Sequence, residues 1–278
     1  MKLKNSHYYF PYRDLERQGQ SFADFSKGKN YYNQLAFLFE LTSSRSPHTK
    51  NEVEFLIKVA KKYIKEKLVF IDAACGSGRH SNILSKKGFK NYAFDASKKL
   101  LTIAKQRDRK TIYKHADFRN FHFKHKANCV FSFWEAYNYL SQQHDIEVFL
   151  LNCYKSLDKG GILVLDSRNF WKKQNRQEKV QHRKYQTAEY DIDLLIKKKT
   201  VLKDKIHEGL FEYNLTNKKT KIQNTIIDQE LVRIWSPREL VTFSNGKFKL
   251  KEVFGDFDIR YKYKKLLSNR MIIVLERN

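Results

Sequence analysis

The chain has 278 residues, 55 lysines and arginines against 30 acids, a formal net charge of +25 and three cysteines. That length suits one sizeable domain with an elaboration. With no long uncharged apolar run and no basic start followed by an apolar stretch, the expectation is no membrane span, no secretory leader and a cytoplasmic protein. Cys75, Cys129 and Cys153 lack paired spacing, so neither a disulfide framework nor a metal site is expected.

Residues 1 to 50 hold Tyr8, Tyr9, Phe10, Tyr12, Phe22, Phe25, Tyr31 and Tyr32 without strong periodicity and end in Ser43-Ser-Arg-Ser-Pro47. They read as an N-terminal cap over a ligand site. Most of these aromatics are expected to pack on the sheet below, with Tyr31 and Tyr32 reserved for the site. From Asn51, the apolar positions Val53, Leu56, Ile57, Ala60 and Ile64 follow helical spacing. The run Val69-Phe-Ile-Asp-Ala-Ala-Cys-Gly-Ser-Gly-Arg-His80 then takes a short apolar strand through an acid into a glycine-rich turn. Gly76 and Gly78 let the main chain approach a ligand, and a helix opening at Arg79 would point amides and a positive dipole end at an anionic group. Ser81 stands where a dinucleotide fingerprint has its third glycine, so the motif is incomplete for NAD or FAD.

Two further strand-like segments follow. Asn91 to Ser97 carries Asp95, placed to accept both hydroxyls of a ribose, and Thr111 to Phe118 carries Asp117 beside Phe118, placed to hydrogen-bond an adenine amine and stack the base. The fourth strand, Cys129 to Phe133, runs into Trp134-Glu-Ala-Tyr-Asn138, where the wall, polar handle and rim of a substrate pocket are expected from Trp134, Glu135 and Tyr137. Core packing is an open alternative for Trp134 and Tyr137, whereas a carboxylate at a strand end in a cleft is harder to explain structurally. A helix over 143 to 157 precedes a fifth strand, Ile162 to Asp166. Beyond it, Tyr190 to Lys203, Lys205 to Asn214 and Lys221 to Trp235 alternate apolar and polar positions, as antiparallel strands of an inserted sheet do. That sheet is a lid or a dimer surface, so a homo-oligomer is compatible with it. Ser236-Pro-Arg-Glu239 has the form of a helix start, and Phe248 to Phe254 with Arg270 to Leu275 supply the last two strands.

Strands alternating with helix-length stretches imply an α/β, doubly wound Rossmann-like sheet that binds ligands beyond the carboxyl ends of its strands. The expected divisions are 1-50 as cap, 51-178 as core, 179-235 as inserted sheet and 236-278 as the last helix and strands. The charge leaves two readings open, because the lysines fall on many elements: a solvated surface, or a face for nucleic acid.

The motifs resemble the class I S-adenosylmethionine-dependent methyltransferases. Asp72-Ala-Ala-Cys-Gly-Ser-Gly78 is similar to the first motif, with Ala74 where the family usually has its first glycine; Asp95-Ala96-Ser97 is similar to the second and Asp117-Phe118 to the third. Asp158-Lys-Gly-Gly161 and the following strand match the closing turn and fifth strand. Within that superfamily the order of motifs is most similar to glycine N-methyltransferases and related small-amine enzymes. The resemblance implies a seven-stranded sheet, S-adenosyl-L-methionine as cofactor on Asp72, Ala74, Gly76, Gly78, Asp95, Ala96, Asp117, Phe118 and Trp134, and an acceptor served by Glu135, Tyr137 and Arg168. The arginine matching Arg168 holds a substrate carboxylate in that family. Glu135 departs from the family's asparagine, which admits an amino sugar or polyamine. The implied activity is methyl transfer to a small-molecule amine. An RNA methyltransferase, or a non-catalytic nucleic-acid-binding protein of the same fold, stands as the alternative.

Overall fold

The computed structural model describes residues 32, 35–43, 48–175, 179–201 and 205–278. Tyr31 and most of the expected cap lie outside the described residues, as does Asp204 between two of the expected inserted strands.

Helix α1 (Ala36–Ser43) and helix α2 (Thr49–Tyr63) lead to strand β1 (Val69–Ala73). Then come α3 (Arg79–Lys86), β2 (Lys90–Asp95), α4 (Lys98–Arg107), β3 (Ile112–His115), β4 (Ala127–Ser132), α5 (Gln143–Ser156) and β5 (Leu157–Arg168). After the inserted strands follow α6 (Pro237–Phe243), β10 (Phe248–Gly255) and β11 (Arg270–Arg277). The main sheet has the order β10-β11-β5-β4-β1-β2-β3. β3, β2, β1, β4 and β5 run parallel, and β11 lies antiparallel between β5 and β10.

The central strands are apolar at nearly every position because both faces are covered. In β4, Cys129 and Phe131 face the layer of α2 while Val130 faces the layer of α5; Ile162 and Val164 against Leu163 and Leu165 repeat the pattern in β5. A period of two with apolar residues on both sides is what a parallel sheet between helices requires. Truncating one of the fully buried rings, Phe131 for example, costs about 3–5 kcal/mol. The helix expected from Asn51 starts two residues earlier and buries Val53, Leu56 and Ala60.

The inserted sheet has four strands in meander order: β6 (Lys179–Gln186), β7 (Tyr190–Val201), β8 (Ile206–Asn217) and β9 (Gln223–Arg233). β6 escaped the sequence reading because His182, Arg183 and Lys184 interrupt its apolar alternation. One face of this sheet packs on Leu35 and Leu38 through Ile192, Leu194, Ile196, Tyr213 and Leu215. The return to the main sheet is set by a capping box at α6: Ser236 Oγ accepts from Glu239 N at 3.3 Å, and Glu239 Oε2 accepts from Ser236 N at 2.8 Å. No helix among the described residues is long and apolar enough to cross a membrane.

Candidate active site

In the parallel half of the sheet the strand order reverses between β1 and β4, and a crevice opens there beyond the carboxyl ends. A cavity of about 420 Å³ occupies it, within the ~300–1,000 Å³ usual for small-molecule sites. Asp72, Ala74, Gly76, Asp95, Ala96, Asp117, Phe118 and Trp134 all line it. Gly78, Glu135, Tyr137 and Arg168 do not.

The turn after β1 is left-handed at Ala74 (φ 61°), Gly76 (φ 55°) and Gly78 (φ 74°). Ala74 thus adopts the conformation that the usual glycine would take without strain. Gly78 serves packing: a Cβ there would fall 2.7 Å from the Tyr113 hydroxyl and 3.0 Å from Ala104 Cβ. Ser81 explains its own departure from the dinucleotide fingerprint, because its hydroxyl donates to Asp72 Oδ2 at 2.6 Å. The buried Asp72 carboxyl is raised above its ordinary range by desolvation.

Asp95 ends β2. Its Oδ2 accepts from Gly76 N at 2.7 Å and its Oδ1 from Ser97 N at 2.8 Å, which ties the glycine turn to the second motif. Burial pushes this carboxyl up to about 6 despite those two amides. Each oxygen keeps a second lone-pair direction for a ligand hydroxyl. Asp117 lies two residues past β3, and Arg119 grips it from the side, with Nε 2.7 Å from Oδ1 and Nη2 3.1 Å from Oδ2. The Phe118 ring is buried beside it.

Arg79, His80, Phe39 and Tyr139, none of them singled out from the sequence, line the cavity beside Trp134 and Tyr32, both expected there; Glu52, outside the lining, holds His80 and Trp134 in place. Glu52 of α2 is buried; burial alone pushes its carboxyl up, but His80, Trp134 and Arg79 together bring it below its ordinary value. His80 Nε2 and Glu52 Oε2 share a hydrogen bond of 2.7 Å, and Trp134 Nε1 donates to both Glu52 oxygens at 3.1 Å. The Arg79 guanidinium stands 4.6 Å over the Trp134 ring. Phe39, Tyr32 and Tyr139 complete the lining, with the two tyrosine hydroxyls 3.1 Å apart.

Trp134 and Glu135 are both left-handed, with φ 58° and 64°. Two consecutive non-glycine residues in that region concentrate strain where the chain leaves β4. The turn turns Glu135 away from the cavity that its neighbours Trp134 and Ala136 line. Arg270 Nη1 donates to Glu135 Oε1 at 2.8 Å, and Arg168 Nε lies 3.2 Å from the same oxygen. Burial raises the Glu135 carboxyl, yet Arg168, Arg270, His207 and Lys198 outweigh it and hold it at about 2. So weak a base orients a cation and does not abstract a proton. Tyr137, expected at the rim, is fully buried. The reason is the 3₁₀ turn Ala136–Tyr139, whose three-residue period puts Tyr139 on the cavity face with Ala136 and sends Tyr137 into the core.

A methyltransferase domain family matches residues 71–165. A glycine/sarcosine N-methyltransferase from Aphanothece halophytica is 30% identical over 128 residues, 44% of this chain and 48% of that protein. A dTDP-3-amino-3,4,6-trideoxy-alpha-D-glucopyranose N,N-dimethyltransferase from Streptomyces venezuelae is 22% identical over 140 residues, 50% of this chain and 52% of that one. The match thus spans about half the length of these relatives. Among solved structures, an S-adenosylmethionine-dependent methyltransferase from Clostridium acetobutylicum superposes with a TM-score of 0.71 at 16% identity, over 88% of this chain and 98% of that one. An amino pentose methyltransferase from Micromonospora echinaspora does so with a TM-score of 0.62 at 14% identity, over 99% and 100%. The fold is that of the class I S-adenosylmethionine-dependent methyltransferases. Residues 71–165, the stretch similar to the methyltransferase domain family, hold the first five strands of the main sheet.

Proposed function

We propose that the protein transfers a methyl group from S-adenosylmethionine to an amine nitrogen of a small molecule. The observation that carries this reading is the convergence of Asp72, Asp95 and Asp117, from the ends of three consecutive strands, on one cavity. Asp95 would take the ribose hydroxyls, Asp117 and Phe118 the adenine, and the main chain at Ala74 and Gly76 the body of the cofactor. The methionine end would run toward Arg79 and Trp134. When bound, the cofactor supplies an activated methyl on a positive sulfur.

The protein's share is then positional. It must keep water out and hold an amine lone pair in line with the methyl. Tyr32, Phe39 and Tyr139 close the cavity, and α1 between cavity and inserted sheet makes that sheet part of the cover. Glu135 and Arg168 belong to the acceptor: one carries the anionic charge that favours an amine, the other a guanidinium whose outer nitrogens suit an anionic group. Both named curated relatives are N-methyltransferases, which supports nitrogen over oxygen or carbon as the accepting atom. Isothermal calorimetry with S-adenosylhomocysteine and NAD tests the cofactor assignment. Binding of the first and not the second is expected, and preference for NAD overturns it.

A further inference from the structure

The loop that joins β10 to β11 carries the most exposed large apolar side chains among the described residues: Leu266 at 69%, Leu267 at 65% and Tyr261 at 62%. The loop is firmly held. Asn169, fully buried just past the end of β5, donates its amide to the carbonyls of Lys265 and Ser268 at 2.8 Å each and accepts from the Tyr263 hydroxyl at 2.9 Å. Lys264 N donates to Ser268 Oγ at 3.0 Å, Leu267 N to Lys264 O at 3.0 Å, and Tyr263 N to Val253 O of β10 at 2.9 Å. A turn tied down in this way holds two adjacent leucines out in water, and exposed apolar groups clustered on an ordered loop mark a docking surface.

The neighbours of the leucines say what covers them. From Ile259 to Leu275 the chain has no acid, and Arg260, Lys262, Lys264 and Lys265 are all exposed. Asp258 neutralises Arg260 at 2.6 Å, whereas the three lysines make no ion pair among the described residues. Trp171 lies beside them, with the Lys265 ammonium 5.6 Å from its ring. A second copy of this chain seated loop to loop would set like charges face to face. Nucleic acid would pair the lysines but strand the leucines, since it is gripped by cations and flat rings. An anionic bilayer answers every member of the group: lipid phosphates for the lysines, the outer acyl region for Leu266 and Leu267, and the headgroup level for the amphipathic rings of Tyr261 and Trp171.

We propose that the 260–267 loop is a peripheral docking element for anionic membrane surfaces. Such contact needs no spanning helix, and two leucines with three lysines give reversible, salt-sensitive binding. The element also has a direction. Asn169, which buttresses the loop, follows Arg168, and Arg168 pairs with Arg270 where the loop enters β11. The loop therefore stands at the carboxyl end of β5, the end of the sheet on which the cavity opens, and docking turns the ligand end of the protein toward the bilayer.

Vesicle co-sedimentation of the full chain at near-physiological salt tests this, with phosphatidylcholine alone and with equal parts phosphatidylcholine and phosphatidylglycerol. Binding to the anionic vesicles and not to the neutral ones is expected. Lys262→Gln, Lys264→Gln and Lys265→Gln together should weaken it about tenfold or more, at roughly fivefold per charge near the surface. Leu266→Ser with Leu267→Ser should also weaken it about tenfold or more. The same charge removed elsewhere, by Lys61→Gln, Lys86→Gln and Lys87→Gln at the ends of α2 and α3, should matter less than about threefold, because charges more than ~8 Å from the lipid are screened. In Leu267→Trp, the introduced indole should shift its emission to the blue on anionic vesicles only. Equal losses from the two lysine sets, or leucine variants that bind as the parent does, would mean adsorption of a generally basic surface and overturn the assignment. So would a parent that ignores anionic vesicles, or loop variants that lose bulk tRNA and not vesicles, which gives the surface to nucleic acid. Every substituted side chain is exposed, so thermal unfolding should match the parent, and none of these readings depends on methyl transfer.

Discussion

Arg270 on β11 and Asp166 on β5 make a two-pronged ion pair, with Nε 2.8 Å from Oδ1 and Nη2 2.5 Å from Oδ2, and the third guanidinium nitrogen reaches Glu135 at 2.8 Å. One buried cation thereby fixes the left-handed turn after β4, since Asp166 Oδ2 also accepts from Trp134 N at 2.8 Å. Burial opposes the Arg270 charge, and the two carboxylates more than restore it. Arg270→Met leaves the buried Asp166 carboxylate without its cation and Glu135 with Arg168 alone, and should cost about 3–5 kcal/mol in urea unfolding. The loss should depend on pH. Glu135 has a depressed folded-state pKa of about 2; its contribution is present above the ordinary carboxylate range and is lost as pH falls toward about 2. The difference between parent and variant should therefore be widest near neutrality and shrink in acid.

Asp95 gives the cofactor reading its own pH signature. Its carboxyl is raised to about 6 in the ligand-free protein. The folded state thus gains from holding this proton below the unfolded value, and that gain fades as pH rises through about 6. The ionised form is the better acceptor for ribose hydroxyls. Affinity for S-adenosylhomocysteine should be level above pH 6 and weaken below it. Asp95→Asn should remove this dependence and cost about ten- to a hundredfold in calorimetry at pH 7.5.

Ala74 carries a conformational cost that glycine avoids. At φ 61°, Ala74→Gly should leave the protein as stable or raise its unfolding free energy by up to about 1 kcal/mol, the reverse of the usual effect of glycine. Thermal or urea unfolding reads this directly, and a clear destabilisation would mean that the Cβ is needed for packing.

Glu135→Gln removes the charge but keeps the shape. Turnover or acceptor KM should worsen about tenfold or more, with cofactor affinity nearly intact, because Glu135 lies off the cavity lining. Loss of cofactor affinity in this variant would assign Glu135 to the cofactor side.

Much of this was legible in the sequence, for identifiable reasons. Acids at strand ends and a glycine turn are local signals, so Asp72, Asp95, Asp117 and Gly76 could be placed on the cavity without knowing the packing. Arg79, His80 and Glu52 could not, because their grouping needs α2 laid against α3, which no spacing encodes. Tyr137 and Tyr139 differ only by a 3₁₀ turn that the segment Ala-Tyr-Asn-Tyr does not announce. Arg270 and His207 sit 135 and 72 positions from Glu135 in the chain and meet it only through tertiary pairing.

The central claim is methyl transfer to a small amine, and a methyl-labelled S-adenosylmethionine assay tests it most directly. Acceptor pools of amino acids, amino sugars and polyamines would be run beside bulk tRNA at near-physiological salt. The account predicts label in a small amine and only weak, sequence-blind association with tRNA. Site-selective methylation of tRNA with none of the small amines, and an RNA affinity whose logarithm falls by about 0.7 per neutralised phosphate for each unit of log salt, would contradict it.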